Sequence, residues 1–516
     1  MHSLTQKHSI LRSRYGLENS DPYYTLSPKS LTLSLVNVSA LQGAQGKEAY
    51  NKWMDDFCSA PFDLEKGPLF RALLLKTDEN THVLMLNMHH IVSDGWSIGL
   101  IGKELESFYN EWEKGVVSAD SNGVEKLKEV VSEREILGYH EYTKWQVELE
   151  ENGDLSRQIA YWKQQLRDVP RLLELPTDFP RPAIKTYKGK TTIFDIDQEQ
   201  FDRLKKLAQQ TKTSPYMVLM AVFGVILHKY TGQNILPIGS PVANRKKEEF
   251  ESLIGFFVNT LVVKLTLEPE KTFLDLLEHV RKHVLEALQH QDVSFEQLVE
   301  ELEPERNMGF TPLFQVMLTM QTEKMESPSL NGVEVSIDDY SNDIAKYDLT
   351  LLFAEHLDGL RCHMEWSTDL FEEWRIKQLG DHFKHVLSHI LHNSTSMVQE
   401  IGLLDLDEKQ RVSEVWNNAP IKEQENRSII QCIDTHGKQT PEALAIEFHD
   451  RVMTYKQVME RSNQWAHYIR SLDIPVGSTI AVMVPRSEHL IVYLLGIWKA
   501  GCSYLPLDPE YPSQRI

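Results

Sequence analysis

MHHIVSDGWS, from Met88 to Ser97, is the stretch of the chain that decides its fold. The run before it, from His82 to Asn87, leaves no room for a polar face and indicates a buried strand. Apolar residues then recur at helical spacing, at Ile98, Ile101, Leu105, Phe108 and Trp112. The stretch is therefore predicted to join a strand to a helix, with an Asp-Gly pair at the turn into the helix.

Two adjacent histidines end this strand, and three interpretations of them compete. Successive strand residues point to opposite faces, so one of His89 and His90 is expected to line a cavity while the other packs. The first interpretation is structural, with Asp94 capping the next helix. The second is a metal site, which is disfavoured because adjacent histidines diverge and no further ligand follows at zincin spacing. The third is a catalytic histidine whose loop is fixed by Asp94, and the HHxxxDG pattern slightly favours it.

Composition excludes several classes of protein. At 516 residues the chain is expected to form about three compact units. The formal net charge of −21 disfavours nucleic-acid binding, which needs a basic surface. The cysteines are scattered, which disfavours a disulfide framework or a zinc cluster and predicts reduced thiols in the cytoplasm. The amino terminus has no signal-peptide pattern, and the longest apolar run, Met217 to Leu227, is far shorter than a membrane span.

Six stretches over roughly three hundred residues carry a family resemblance. In order they are KHSILRSRY (7–15), the HHxxxDG segment, GYHEYTKWQ (138–146), IGFFVNTLVVK (254–264), HQDVSFEQLVEEL (290–302) and ERNMGFTPLFQVML (305–318). The ordered set resembles the motifs of condensation domains of non-ribosomal peptide synthetases, which are members of the chloramphenicol acetyltransferase-like superfamily. No one of these motifs is specific, but their order is.

The resemblance implies an α/β fold, an α+β sandwich in which two chloramphenicol acetyltransferase-like halves form a V with a central tunnel. The condensation domain is expected over residues 1–392, with a first half at 1–180 and a second half at 181–392. LPTDFPRP, from Leu175 to Pro182, is a proline-punctuated boundary between them. The family's opening strand and helix are expected to be absent here.

A polar stretch, 393–426, is predicted to be a linker to a second kind of domain. MTYKQV (453–458) and WKAGCSYLPLDPEYP (498–512) resemble the first two core motifs of adenylation domains of the AMP-forming ligase superfamily. Residues 427–516 are therefore expected to be a truncated α/β start of such a domain, ending before the phosphate loop. ATP and Mg²⁺ would bind only a complete adenylation domain, and no adenylation is expected from this chain.

The resemblance also implies the chemistry. An acceptor aminoacyl amine attacks a donor thioester, and both substrates are carried on the 4′-phosphopantetheine arms of upstream and downstream carrier domains. His90 and Gly95 are the expected catalytic residues, because histidine transfers protons near neutral pH and a Gly95 N–H could face an oxyanion. His89 and Asp94 are expected to be structural. In the family, the motif that matches KHSILRSRY begins with an arginine, which Lys7 replaces here, and its second arginine, matched by Arg12, pairs with this aspartate; the resemblance therefore implies an ion pair between Arg12 and Asp94.

Trp96, Ser97 and Asn259 are expected along the substrate tunnel, although Asn259 could instead be satisfied locally in a buried strand. No cofactor or metal is expected on the chain, which is predicted to be a monomeric module of a larger cytoplasmic synthetase with no membrane or nucleic-acid partner. The GFFVNT form resembles domains that accept a D-configured donor. The alternatives are a stand-alone HHxxxDG acyltransferase, a module that only docks carriers, and an inactive fragment.

Local patterns predict further elements. Leu4, Ile10 and Leu11 suggest a helix over the segment that ends at Tyr15. Ser214 and Pro215 are an N-cap and first-turn pair for a helix that is apolar nearly all round, and is therefore predicted to be buried. On a predicted helix from 371 to 392, four histidines share roughly one face, which is interpreted as a solvated face in preference to a metal site; they are His382, His385, His389 and His392.

Overall fold

The computed structural model describes residues 1–19, 21–28, 31–41, 43–114, 138–302, 307–321, 327–337, 343–356, 358–417 and 427–512. The chain divides into two compact units, Met1–Glu408 and Lys409–Ile516. All of the predicted site residues lie in the first unit.

Over its described residues, the first part of the larger unit contains a β-hairpin, a three-stranded sheet and five helices. Its helices are α1 (His2–Lys7), α2 (Gly43–Ser59), α3 (Gly95–Glu113), α4 (Tyr139–Glu151) and α5 (Asp154–Gln165), and its strands are β1 (Ser13–Glu18), β2 (Asp21–Leu26), β3 (Ser34–Asn37), β4 (Phe70–Lys76) and β5 (His82–Met88). Strands β1 and β2 pair as the hairpin, and the sheet has the order β3-β4-β5. Short 3₁₀ turns lie at Ser9–Arg12 and His90–Val92.

Strand β5 confirms the predicted strand before the histidine pair. It pairs antiparallel with β4, so that Phe70 lies opposite Met88 and Lys76 opposite His82. The strand is not buried throughout, as its apolar sequence suggested. Met85 packs towards helix α2, whereas the neighbouring Leu84 is 43% exposed. Alternate residues face opposite sides of the sheet, and α2 covers only one of them.

The second part of the larger unit is built on a six-stranded sheet of order β6-β11-β10-β9-β7-β8. Its strands are β6 (Gly189–Asp197), β7 (Ile235–Val242), β8 (Asn259–Thr266), β9 (Val316–Gln321), β10 (Leu349–His356) and β11 (Gly359–Ser367), and its helices are α6 (Gln198–Thr211), α7 (Pro215–Thr231), α8 (Glu248–Glu251), α9 (Phe273–Gln289), α10 (Phe295–Leu302) and α11 (Glu373–His392). Strand β9 pairs parallel with both neighbours, and the other pairs are antiparallel.

Helix α7 lies at the centre of this part, as its sequence predicted. The Ser214 side chain accepts a hydrogen bond from the Met217 N–H, and Pro215 occupies the first turn. Every residue from Met217 to Leu227 is buried in the helix, and most belong to the main hydrophobic core. A helix without a polar stripe is stable only where other elements cover it on all sides, and α6, α9, α11 and the sheet do so here.

The opening of the chain differs from its prediction. The expected helix over the segment that ends at Tyr15 stops at Lys7, where α1 ends, and is followed by the 3₁₀ turn and by strand β1, which begins at Ser13. Leu4, Ile10 and Leu11 are nevertheless buried together in one cluster. The apolar spacing was therefore a correct sign of burial, but a turn satisfies it as well as a continuous helix.

The stretch predicted as a linker begins inside the first unit, which extends to Glu408. Val398 and Ile401 are buried in the main core, and Val398 donates its N–H to the carbonyl of Lys271. These two apolar side chains are therefore enough to anchor the otherwise polar stretch to the core. A short helix, α12 (Leu406–Gln410), then spans the boundary between the two units.

The histidine face of α11 is not uniformly solvated, so that prediction was wrong for His382. Its side chain is buried, with Nδ1 hydrogen-bonded to the Tyr230 hydroxyl at 2.7 Å and Nε2 to the Glu408 carboxylate at 3.0 Å. His389 bonds to Ser396, and His392 bonds to Arg203. Because α11 packs against other elements along its length, part of the histidine face beside its apolar face is buried as well.

The second unit follows α/β order. Its helices are α13 (Ile429–Gln439), α14 (Tyr455–Ser471) and α15 (Glu488–Lys499), and its strands are β12 (Leu444–Phe448), β13 (Arg451–Thr454), β14 (Thr479–Val482) and β15 (Ser503–Pro506). Strands β12 and β13 pair antiparallel, and β14 and β15 pair parallel. The MTYKQV stretch carries the capping box of α14, in which Thr454 and Gln457 exchange side-chain and backbone hydrogen bonds.

Across the described ranges of both units, every helix is too short or too polar to span a bilayer.

A buried histidine on α9 generates a prediction for stability against pH. His279 accepts a hydrogen bond from the Thr266 N–H at 3.0 Å and lies against His283. Burial, and secondarily the charge of His283, lowers the pKa of His279 to about 4. The unfolded chain therefore binds a proton at this position below about pH 6.5, whereas the folded chain does not until about pH 4.

Stability should consequently fall as the pH drops from about 7.5 to about 5, by about 2 kcal/mol from His279 alone. Replacing His279 with glutamine keeps an acceptor for Thr266 but removes the titration, so the variant should lose less stability over the same range. Urea unfolding at both pH values measures this. An equal loss of unfolding free energy at the lower pH in the variant and the parent would contradict the assignment of this loss to His279.

Candidate active site

The site is built on the junction between β5 and α3. His89 follows the strand, and its Nδ1 accepts a hydrogen bond from the Ile91 N–H at 3.1 Å, which caps the short turn His90–Val92. Asp94 then caps α3 by accepting from the Ser97 N–H at 2.9 Å. Both caps are local, so the sequence of the loop dictates its own shape.

The two histidines differ, as predicted, but the cause is not strand alternation, because β5 ends at Met88 and His90 begins the 3₁₀ turn. His89 packs edge-to-face against Phe62 with ring centroids 5.8 Å apart, and burial, reinforced by the charge of His90, lowers the pKa of His89. His90 is exposed, and its ring meets Phe256 edge-to-face at 5.0 Å. His90 is therefore the member of the pair that a substrate can reach.

Asp94 pairs with Arg245, which lies 151 residues further along the chain. The Arg245 guanidinium donates to both carboxylate oxygens, at 3.2 and 3.3 Å, and each side chain is 2% exposed. Burial lowers the pKa of Arg245, while the Asp94 carboxylate opposes that shift. Arg245 also donates to the carbonyls of Phe250 and Leu253 and lies 3.8 Å over the Phe257 ring.

The expected ion pair between Arg12 and Asp94 is therefore wrong. Arg12 donates instead to the backbone carbonyls of Thr5 and Ser27, at 2.9 and 3.0 Å. These bonds connect the 3₁₀ turn to α1 and to the end of the hairpin. Arg12 therefore contributes to the site only by stabilising the first part of the unit. The Asp94 carboxylate is already occupied by Arg245 and two N–H groups.

A segment between α8 and β8, residues 252–258, is bound to this loop at consecutive positions; we call it the α8–β8 segment. The Phe257 N–H donates to Asp94 at 3.0 Å. The Ser97 hydroxyl lies 2.7 Å from the Asp94 carboxylate and 3.0 Å from the Gly255 carbonyl, and it accepts a hydrogen bond from the Gly255 N–H at 3.1 Å. Ser97 is fully buried by these contacts, so its expected place along a tunnel is wrong.

Trp96 and Tyr139 complete the attachment of this segment. The Trp96 Nε1–H donates at 2.9 Å to the carbonyl of Glu251, the last residue of α8, which directly precedes the segment, and the Tyr139 hydroxyl donates to the Phe256 carbonyl at 2.5 Å. Burial raises the pKa of Tyr139, so the hydroxyl stays protonated and can donate. Gly255 is required here, because a Cβ would lie 2.3 Å from the Tyr139 ring.

Gly95 lies at the predicted turn into α3, and Asn259 follows the local alternative instead of lining a tunnel. Asn259 is buried and donates to the carbonyls of Gln291 and Val293, both at 2.7 Å, and its oxygen accepts from Phe295, so it is satisfied locally and does not line a tunnel. Gly95 is exposed and is the first residue of α3, with open space where a Cβ would point. Its φ is not left-handed, so the turn does not require glycine there.

Sequence reasoning missed Arg245, Phe256 and Tyr139. Arg245 ends the GSPVANR stretch, and the preceding Asn244 is buried with a left-handed φ of 52°. A polar residue held in that conformation marks a specified turn, but nothing in the local pattern names Asp94 as the partner. Among the described residues, no cluster of three or more His, Cys, Asp or Glu side chains is arranged to hold a metal.

The two arginines should differ sharply in their contribution to stability. Replacing Arg245 with alanine leaves the buried Asp94 charge uncompensated, and should cost ~3–5 kcal/mol of unfolding free energy. Replacing Arg12 with alanine removes hydrogen bonds to two carbonyls, and should cost about 1–3 kcal/mol. Urea unfolding of both variants measures the difference. A larger loss for Arg12→Ala than for Arg245→Ala would contradict the pairing of Asp94 with Arg245.

Comparisons with known proteins agree with this geometry. A family model described as "Condensation domain" matches residues 1–412, and one described as "AMP-binding enzyme" matches residues 433–516. The chain is 34% identical to a linear gramicidin synthase of Brevibacillus parabrevis, over 99% of this chain and 10% of that protein. It is 32% identical to bacitracin synthase 3 of Bacillus licheniformis, over 100% of this chain and 8% of that protein. The chain thus spans about a tenth of the length of these curated relatives.

Solved structures show the same fold. A four-domain non-ribosomal peptide synthetase bound to AMP and glycine superposes with a TM-score of 0.77 at 21% identity, over 99% of this chain and 38% of that one. The X-domain from teicoplanin biosynthesis superposes with a TM-score of 0.68 at 21% identity, over 78% of this chain and 88% of that one. The predicted fold class is confirmed. The chain belongs to the condensation-domain family, and its condensation domain is followed by the start of an AMP-binding domain.

Proposed function

We propose that the first unit forms a peptide bond between two carrier-bound substrates. The observation that supports it most is an exposed imidazole, His90, at the end of a strand whose following loop is locked by a buried ion pair. A thioester is already activated, so the main need is to align it with the amine and to manage one proton.

The bonds in this reaction balance without any further reactant. The acceptor nitrogen bonds to the thioester carbonyl carbon, the carbon–sulfur bond breaks, and one N–H proton ends on the departing sulfur. His90 is the group proposed to hold that proton during the transfer or to orient the neutral amine. Histidine suits this task because it exchanges protons near neutral pH.

The negative charge that develops on the carbonyl oxygen needs a hydrogen-bond donor to stabilise it. We propose the Gly95 N–H, because the first N–H groups of a helix have no partner within it and lie at the positive end of its dipole. Asp94 is proposed to act by holding the loop, since both of its oxygens are already bonded to Arg245 and to N–H groups.

Donor and acceptor are proposed to arrive on 4′-phosphopantetheine arms of upstream and downstream carrier domains, as expected for one module of a larger cytoplasmic synthetase. The four cysteines are free, which suits a reducing compartment. A D-configured donor remains our proposal for the subtype, supported by the GFFVNT form of the segment 255–260.

The test uses donor and acceptor carriers loaded with aminoacyl thioesters, the donor in D or L form. Intact mass of the acceptor carrier detects a dipeptidyl thioester. His90→Gln should slow its formation about 10²–10⁴-fold, because a positioned proton-transfer group is lost. Preference for the D donor would support the proposed subtype.

His82→Gln is the matched control, because it changes an exposed histidine at the other end of the same strand. It should leave the rate unchanged. If folded His90→Gln protein retained the parent rate, the catalytic role would be refuted. If the parent itself formed no product with loaded carriers, the condensation function would be refuted and a carrier-docking module would remain.

A further inference from the structure

We propose that Phe256 is a positioning residue for the reaction: its ring, delivered by the α8–β8 segment, sets the orientation of the His90 imidazole. This inference rests on the proposed function, in which His90 transfers or directs a proton. Phe256 and His90 belong to different parts of the first unit, so the site is complete only when the six-stranded part supplies this ring.

The first support is the contact itself. The rings of His90 and Phe256 are 5.0 Å apart and inclined by 85°, the edge-to-face geometry that aromatic pairs prefer. Within the described part of the chain, the His90 ring has no hydrogen bond to another side chain, whereas His89 is fixed by the Ile91 N–H. No carboxylate among these residues orients His90 as in a serine-hydrolase triad, so the Phe256 ring is its restraint from outside the loop.

The second support is how firmly the backbone carrying Phe256 is held. Three consecutive residues are each bound to the first part of the unit: Gly255 through Ser97, Phe256 through the Tyr139 hydroxyl, and Phe257 through Asp94. These three hydrogen bonds fix the position of the Phe256 backbone, from which its side chain extends. A catalytic group needs this kind of support from packed neighbours.

The third support is the contrast between two adjacent phenylalanines. Phe257 is 1% exposed and packs in the aromatic cluster with Tyr142 and Phe250, which explains it as a core residue. Phe256 is 40% exposed, so burial does not explain why an aromatic ring stands there. The contact of Phe256 with the exposed His90 explains the ring at this position.

The geometry has a kinetic consequence. Without a ring at position 256, His90 samples rotamers that point away from the reacting amine, and the productive fraction falls. Phe256→Leu should therefore lower kcat roughly 3- to 10-fold, the equivalent of one aromatic contact. KM for the loaded carriers should be unchanged. Phe256→Tyr keeps the ring and should restore the parent rate.

The experiment measures two quantities on the full chain: the rate of dipeptidyl thioester formation at varied concentrations of loaded carriers, which gives kcat and KM, and the imidazole resonances of ¹³C-histidine-labelled protein. The His90 signals are assigned by their loss in His90→Gln. Phe256→Leu should move them, because the ring current of Phe256 is removed, and Phe256→Tyr should not. Phe179→Leu is the matched control, since Phe179 is 42% exposed in the same unit and has no ring contact with His90.

The outcomes are distinguishable. Unmoved His90 resonances together with a parent-like rate in Phe256→Leu would overturn the proposal, and so would a change confined to KM, which would make Phe256 a substrate contact. If Phe256→Leu does not fold, Phe256→Met fills a similar volume without a ring and takes its place under the same criteria. If the parent forms no dipeptide, the proposed function fails, and the resonances still decide whether the Phe256 ring contacts His90.

Discussion

The buried ion pair between Asp94 and Arg245 is the constraint on which the site depends. Two opposite charges that are each 2% exposed are stable only while they face one another and most of their remaining hydrogen-bonding atoms are occupied. Asp94 meets this condition through two N–H groups. Arg245 meets it at its terminal nitrogens, which bond to Asp94 and to two carbonyls, and it lies over the face of Phe257, while its buried Nε has no hydrogen-bond partner. The pair therefore fixes the α3 loop and the α8–β8 segment against each other.

From this constraint the reactive geometry follows in steps. The loop that carries Asp94 also ends β5, so fixing it leaves His90 exposed at a defined position. The segment that carries Phe257 also carries Phe256, whose ring then meets His90. One charge pair thus links a strand end in the three-stranded part to a turn beside the six-stranded sheet. Neither part holds the complete arrangement alone, which is why we assign the chemistry to the first unit as a whole.

Much of this could be predicted from sequence, where local physics decides the outcome. The apolar face of α7, its Ser214 cap and the strand before His89 follow from spacing within a few residues. The motif order identified the family, and so the exposed histidine. Arg245 could not be named in the same way, because 151 residues separate it from Asp94 and only the tertiary fold brings them together. Ser97 was misplaced, and for Asn259 the local alternative proved correct, because a polar residue in a motif can bond to the backbone as readily as to a substrate.

We propose that Asp94 acts on the reaction through Arg245, by holding the loop, and not by touching the reacting atoms. A double-mutant cycle tests it directly, with Asp94→Asn, Arg245→Gln and the double variant compared in single-turnover dipeptide formation. If the two residues act as a unit, the double variant should be no slower than the slower single variant. If the two losses multiply in folded protein, Asp94 has a separate role in the chemistry, which contradicts this claim.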